Sequence, residues 1–243
     1  MNVSFNGLAG LTAGTNACHR AAPLAMALFL SPATLLPAAC KDSLLTHLHP
    51  VSSVVSAGVV LLCRALIEGV PWPHALDRTA ASLRYCDPMY VLPPPTDHPD
   101  LQRMLPRIPA EHSLSEDTVA KARQSVAKLF TFAFVDADSL GRQNRGGYAP
   151  VAVRAALFFV NRATCASAAL SESISFAGPA NYCPVLVGAI SGARWGLEQV
   201  KASGRLSSIG PARCKHSPDA VAAGMAACKA LADHWEVHEQ KAE

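Results

Sequence analysis

Two histidines stand at a spacing at which they could bind a metal. His47 and His49 are one residue apart, and Cys18 or Cys40 could complete a zinc site with them. The H-x-H spacing is common, however, and no second pair of ligands accompanies it. We therefore expect no zinc here.

A pair of carboxylates, Asp136 and Asp138, is the other candidate for chemistry. Paired carboxylates can bind a metal or act as acid and base. Ser139 and Gly141 follow closely, and short polar residues beside a glycine are typical of a turn. The pattern favours loop acids that cap or turn the chain over a metal-binding role.

The cysteines are spread along the whole chain without a C-x-x-C motif. A disulfide framework usually belongs to a short secreted chain, so we expect unbridged thiols in a reducing compartment. This favours an intracellular protein, cytoplasmic rather than organellar. No histidine–acid arrangement marks Cys18 as a nucleophile. The eight are Cys18, Cys40, Cys63, Cys86, Cys165, Cys183, Cys214 and Cys228.

Composition defines the class of protein more than its function. Of the 243 residues, 50% are hydrophobic and 16% are charged, which excludes a disordered chain. The net charge is only +3 and aromatic residues make up 6%, so we expect no nucleic acid as a partner. The length is sufficient to bury a sizeable core in one or two domains.

An apolar stretch from Ala21 to Ala39 raises the question of a membrane anchor or a signal peptide. Prolines at 23, 32 and 37 interrupt it, which a single spanning helix tolerates poorly. Ser31 followed by Pro32 is typical of a helix start. We expect two shorter core helices and no membrane span.

Helical periodicity dominates the first half of the chain. It predicts a helix over Val51–Gly69 with Gly69 at its C-terminal end, and a second from Pro73 to about Tyr85. A proline-rich loop follows over residues 86–100. A further helix is predicted over His112–Phe134, with a capping box from Ser113 to Glu116.

The second half continues this pattern. Pro150, Pro184 and Pro218 each stand where a helix should begin, and no run alternates apolar and polar residues as a strand would. The sequence predicts one all-α domain over residues 1–233 and a charged tail over residues 234–243. Trp72, between two prolines, is expected to anchor packing.

Three glycines lie four residues apart in one predicted helix: Gly188, Gly192 and Gly196. Each costs up to about 1 kcal/mol against alanine in a helix interior. We expect the close approach of a neighbouring helix in a dense core to offset that cost.

Four segments in order resemble the ADP-ribosylglycohydrolase family. Residues 14–23 (GTNACHRAAP) are similar to the family's G-N-G-x-x-M-R-x-A-P loop, and residues 46–50 (THLHP) to its T-H-x-x-P. Gly146-Gly147-Tyr148, together with residues 155–158 (AALF), resembles G-x-Y-V-x-x-x-L-x-A-A-L-W. Residues 176–196 resemble the L-G-G-D-x-D-T segment and its small-residue helix. The resemblance implies a compact all-α fold with its site in a central cleft.

The resemblance also implies candidate ligand-binding residues. The family loop lies against the diphosphate of ADP-ribose, and a family histidine near the ribose matches His47. Arg20 could pair with phosphate or belong to a structural salt bridge, and His47 could instead be a structural histidine at a helix end. In place of the family's second glycine and its methionine stand Asn16 and His19. The candidates are Gly14, Thr15, Asn16, Ala17, Cys18, Arg20 and His47.

The family's magnesium ligands are not found where the resemblance places them. Its T-D-D-T cluster lies in an N-terminal third that is expected to be missing, because only 13 residues precede Gly14 and none is acidic. Its D-x-D-T positions are occupied by Pro179, Ala180, Asn181 and Tyr182. A hard cation needs oxygen ligands, preferably charged ones, so we expect no magnesium, no other cofactor and no catalytic residue.

The sequence therefore predicts a catalytically inactive relative. It would bind ADP-ribose or a related nucleotide weakly, or serve as a structural subunit whose exposed helix faces a protein partner covers. The alternative is an active magnesium-dependent ADP-ribosyl hydrolase whose missing part another chain supplies.

Overall fold

The computed structural model describes residues 13–27, 29–47, 49–85, 116–138, 147–177 and 182–202. The proline-rich loop, the Ser113 cap, Pro179, Ala180, Asn181, Pro218 and the charged tail lie outside these ranges. The described residues contain helices and one isolated antiparallel bridge between Gly14 and Tyr148, with no strand. The all-α prediction is confirmed.

The described helices follow the chain in order. They are α1 (Asn16–Ala21), a 3-10 helix (Ala22–Met26), α2 (Pro32–Leu44), α3 (Pro50–Ile67), α4 (Trp72–Tyr85), α5 (Glu116–Leu129), α6 (Phe132–Ala137), α7 (Ala149–Arg162), α8 (Ala166–Ala177) and α9 (Tyr182–Ala202).

Helix α3 is the centre of the fold. It packs against α1, the 3-10 helix, α2, α4, α5, α7 and α9, and its residues 52–60 are all buried. A helix that is apolar on every side has to be buried on every side. Helices α7, α8 and α9 pack on one another beside it.

Of the described helices, α3 alone is long and apolar enough to span a membrane, with a mean hydropathy of 1.9. Other parts of the chain nevertheless bury 89% of it. The core helix of a folded domain meets the same criteria, so this length and composition are weak evidence of a span.

The end of α3 shows how a glycine stops a helix. Gly69 adopts a φ of +80°, which glycine does without a steric penalty. The N–H of Val70 donates to the carbonyl of Ala65 at 2.9 Å, and that of Gly69 to the carbonyl of Leu66 at 3.0 Å. These two bonds form a Schellman motif, and the predicted helix end is confirmed.

The apolar stretch Ala21–Ala39 is divided as expected. The 3-10 helix ends at Met26, and α2 begins at Pro32 with Ser31 as its N-cap. Arg64 of α3 secures the connection between them. Its guanidinium donates to the carbonyls of Ala25 at 2.6 Å, Ala27 at 2.7 Å and Leu30 at 3.3 Å.

The predicted helix His112–Phe134 is wrong at its C-terminal end. Helix α5 ends at Leu129, Thr131 is extended, and α6 begins at Phe132. The cause is tertiary. Phe130 is fully buried, and the carboxylate of Asp77 on α4 accepts the N–H of Phe132 at 2.9 Å.

The described residues do not show the tight face predicted for α9. Among them, a Cβ on Gly192 would meet nothing within 4 Å, and one on Gly188 would meet only Leu170 Cδ2 at 3.8 Å. Gly196 is not helical, with a φ of +76° that kinks α9. The close approach lies elsewhere, at Gly58 of α3, where a Cβ would lie 2.5 Å from Phe130 Cε2.

The predicted thiols agree with the structure where it describes them. Cys18, Cys40, Cys63, Cys165 and Cys183 form no disulfide. Trp72 is buried as a packing anchor. Its indole N–H donates to Asn161 Oδ1 at 2.8 Å, and its ring stacks on the Arg194 guanidinium at 4.6 Å.

Candidate functional site

The loop before α1 is tied to the loop before α7 by backbone hydrogen bonds. Thr15 N–H donates to the carbonyl of Gly147 at 3.0 Å, and Ala149 N–H donates to the carbonyl of Ala13 at 2.9 Å. Ser52 of the central helix adds a hydroxyl bond to the carbonyl of Gly14 at 3.0 Å. Gly14 is thereby fixed from two sides.

His47 lies directly against this loop. A Cβ on Gly14 would be 2.8 Å from His47 Nε2, so the imidazole occupies space that only glycine leaves open. The ring is mostly buried, and its Nδ1 is 2.8 Å from Thr46 Oγ1. Burial, followed by the charge of Arg20, lowers the pKa of His47. Both effects favour the neutral ring.

Arg20 is committed to neighbouring protein groups. Its Nε donates to Asp42 Oδ2 at 3.0 Å, its Nη1 to Thr46 Oγ1 at 2.6 Å, and its Nη2 to the carbonyl of Asp42. This is the salt bridge that the sequence left open beside phosphate pairing. These bonds use three of the five N–H donors of the guanidinium, and the side chain is 33% exposed. A phosphate could therefore reach only the two remaining donors, beside the carboxylate of Asp42.

The other loop candidates divide between surface and interior. Asn16 is exposed, whereas Thr15, Ala17 and Cys18 are buried. The Cys18 thiol donates to the carbonyl of Thr15 at 2.9 Å, and burial raises its pKa to about 12. A thiol in this state is not a nucleophile at neutral pH.

The structure gives contacts to two residues that the sequence marked only as departures from the family motifs. His19 Nε2 donates to the carbonyl of Tyr182 at 2.9 Å and so joins α1 to the start of α9. The ring of Tyr182 covers Gly147, where a Cβ would be 3.1 Å from Tyr182 Cζ. The motif position of Tyr182 drew attention to this residue in the sequence, but only the tertiary structure shows that its ring packs on Gly147.

The described residues of this site do not fit a pair of magnesium ions. Asp42, the carboxylate that belongs to the site's hydrogen-bonded group, is ion-paired to Arg20. Tyr182 packs on Gly147 where the family motif has a small hydroxyl. Within the described ranges, no three His, Cys, Asp or Glu side chains are grouped closely enough to hold a metal.

The zinc candidates are likewise placed by structural contacts. His49 caps α3, its Nδ1 accepting the N–H of Val51 at 3.2 Å. Cys40 Sγ lies 3.8 Å from the carbonyl of Ser53.

The D-x-D pair has a structural role, but the predicted loop is wrong for Asp136, which lies within α6, and Asp138 follows as the C-cap residue of that helix. Asp138 is buried and accepts two bonds from Arg154, one of them from Nε at 2.7 Å. Arg162 donates to the Asp138 carbonyl at 3.0 Å. Asp136 accepts a bond from the Asn161 amide at 3.3 Å.

The described residues form an all-α fold in which the loop of Gly14 lies against His47, just before the central helix. The family model of ADP-ribosylglycohydrolase matches residues 2–233. The chain belongs to the ADP-ribosylglycohydrolase family. Comparison with the curated proteins and with the solved structures gives no match.

Proposed function

We propose that this protein is a catalytically inactive member of its family that binds ADP-ribose or a related nucleotide weakly. The loop of Gly14 and Asn16 and the ring of His47 would form the binding site. The observation that carries this proposal is the packing of His47 Nε2 against Gly14, where no Cβ would fit. This contact fixes the position of the imidazole beside the loop. It needs no metal, and the described residues contain no group of three side chains that could hold one.

The same geometry explains why binding would be weak. A diphosphate is held best by a guanidinium that can donate two parallel bonds. Arg20 already donates to Asp42 and Thr46, and the Asp42 carboxylate neutralises its charge. An incoming phosphate would find only the two remaining N–H donors and would be repelled by the neighbouring carboxylate.

Hydrolysis would need groups that the described site does not offer. Family enzymes position the attacking water with two metal ions, and a hard cation requires carboxylate ligands. The described carboxylate of the site is already neutralised by Arg20. We therefore propose binding without hydrolysis and without a cofactor.

Isothermal titration calorimetry with ADP-ribose, with and without MgCl₂, tests this proposal. We expect binding in the high micromolar to millimolar range that does not require magnesium. Gly14→Ala should abolish it by displacing His47. Gly192→Ala is the matched control, because a Cβ there meets nothing within 4 Å.

Two outcomes would contradict the proposal. Folded protein that gives no heat with ADP-ribose at millimolar concentration removes the binding function. Magnesium-dependent release of ADP-ribose from an ADP-ribosylated protein shows an active hydrolase instead.

A second candidate function is that of a structural subunit. Phe29 is 83% exposed and Leu45 is 73% exposed. A contiguous exposed apolar patch marks a surface that a partner covers, whereas single exposed apolar residues are ordinary, so this candidate requires that the two belong to such a patch. Light scattering distinguishes the two. A monodisperse monomer that binds ADP-ribose supports the binding function, and a stable oligomer without nucleotide affinity supports the subunit.

A further inference from the structure

Four side chains from three consecutive parts of the chain form one hydrogen-bonded series. The Asp42 carboxylate accepts from Arg20 Nε at 3.0 Å. Arg20 Nη1 donates to Thr46 Oγ1 at 2.6 Å, and Thr46 Oγ1 is 2.8 Å from His47 Nδ1. The series runs from an anion on α2 to an imidazole three residues before α3.

The bond from Arg20 favours one direction for the last bond. Arg20 has no acceptor, so it must donate to Thr46, and this occupies one of the two lone pairs of the hydroxyl. With its second lone pair and its one proton, Thr46 Oγ1 can either accept from His47 Nδ1 or donate to it. A guanidinium that bonds to the oxygen polarises the hydroxyl and makes it a better donor, because hydrogen bonds in series strengthen one another. Donation from Thr46 to His47 Nδ1 is the favoured arrangement.

We infer that Asp42, Arg20 and Thr46 are positioning residues that hold His47 as a neutral imidazole with its proton on Nε2. An imidazole that accepts at Nδ1 carries its proton on the other nitrogen. Burial and the nearby charge of Arg20 also favour the neutral ring, since both lower its pKa.

The protonated nitrogen faces the loop rather than the interior. Nε2 is the atom that approaches Gly14, and no hydrogen bond joins it to another described residue. The ring thus offers one fixed N–H donor beside Gly14. The ligand group it suits is an oxygen that only accepts, such as a phosphate or carbonyl oxygen.

This arrangement gives Arg20 a different role from that of a phosphate ligand. Its charge acts on the ligand through Thr46 and His47, and three of its five N–H donors bond to the protein. The inference concerns the site of the proposed function, and the affinity test below rests on that function. The tautomer itself does not depend on a bound nucleotide.

Long-range ¹H–¹⁵N NMR of histidine-labelled protein, without ligand at pH 7.5, tests the inference. His47→Gln identifies the His47 signals by their loss. We expect a protonated Nε2 and an unprotonated Nδ1 that is shifted upfield by the bond it accepts. Thr46→Val should move the Nδ1 signal downfield, and Thr46→Ser should restore it.

A second variant guards against an unfolded Thr46→Val protein. Arg20→Lys keeps the charge but loses the fork that joins Asp42 to Thr46, and it should move Nδ1 in the same direction by a smaller amount. The His19 signals, with Nε2 bonded to Tyr182, serve as the internal control for folding.

The inference and the proposed function would be overturned by different results. A wild-type His47 with its proton on Nδ1, or a Nδ1 signal that Thr46→Val leaves unchanged, would overturn the inference. An Nε2 proton in a protein that does not bind ADP-ribose would overturn the proposed function and leave the inference intact. If binding is present, Thr46→Val should weaken it several-fold while Thr46→Ser retains it.

Discussion

Gly58 of the central helix and the ring of Phe130 fit together without space for a single additional carbon. A Cβ on Gly58 would lie 2.5 Å from Cε2 and 2.6 Å from Cζ of Phe130. Phe130 is fully buried, and its position at the end of α5 accompanies the break between α5 and α6. This contact couples the centre of the core to a helix boundary.

Gly58→Ala should therefore destabilise the protein although alanine is the better helix former. Forcing an extra carbon into a packed core costs about 1–3 kcal/mol, more than the roughly 1 kcal/mol that alanine adds in a helix. Urea denaturation measures the difference. Gly192→Ala, with open space around the new carbon, should be neutral or stabilising. Equal effects of the two variants would contradict the packing argument.

Arg64→Met should open the connection between the 3-10 helix and α2. The guanidinium bonds the carbonyls of Ala25, Ala27 and Leu30, and leaving a buried acceptor unsatisfied costs about 1–3 kcal/mol. We expect a lower urea midpoint and faster amide hydrogen exchange around residues 25–31. Arg78→Met, which removes an exposed ion pair with Glu68, should change stability by less than about 1 kcal/mol.

Stability should fall as the pH drops below neutrality. Burial lowers the pKa values of His19, His47 and His49, whereas an unfolded histidine titrates near about 6.5. The unfolded chain then binds more protons, so the stabilisation is complete above that value and is lost as the pH falls toward the folded pKa values. Urea denaturation between pH 7.5 and 5.5 measures this loss.

The histidine variants sharpen that measurement. His19→Gln should reduce the slope of stability against pH, because it removes one partly buried ring whose pKa burial lowers. A slope that no variant of His19, His47 or His49 affects would assign the pH dependence to other groups.

Cys165 should be the most reactive of the five described thiols. Its pKa is lowered by the Ser167 hydroxyl and by backbone N–H groups at the start of α8. Burial raises the pKa values of Cys18, Cys63 and Cys183 to about 12. Iodoacetamide labelling followed by peptide mass spectrometry should find Cys165 modified first, and Ser167→Ala should slow it. Labelling of Cys63 at a similar rate would contradict the buried core.

The helix boundaries set by local residues were predictable from the sequence. Gly69, Pro32 and Pro150 act through the conformations of their own backbone. The break after Leu129 was not predictable, because the cap of α6 comes from Asp77 on another helix. The glycines of α9 were misread for the same reason. Spacing shows that small residues share a face, but not whether a neighbour approaches it.

The residues of the candidate site were also predictable only in part. The motif order identified Gly14, Arg20 and His47, but it left open whether Arg20 serves a phosphate or a salt bridge. That choice depends on Asp42 and Thr46 being within reach of one guanidinium. Ser52 had no motif to mark it, and only the fold shows that its hydroxyl supports Gly14.

The bridge between Gly14 and Tyr148 has a consequence for the order of folding. The two backbone segments that it joins are far apart in the sequence. Closing such a long loop carries an entropic cost that local helix pairing does not. We expect the pair α3–α4 and the α7–α9 group to form first and the bridge to form late. The candidate site would then be complete only in the fully folded chain. A nucleotide that binds there would stabilise the whole molecule against unfolding and not one segment alone.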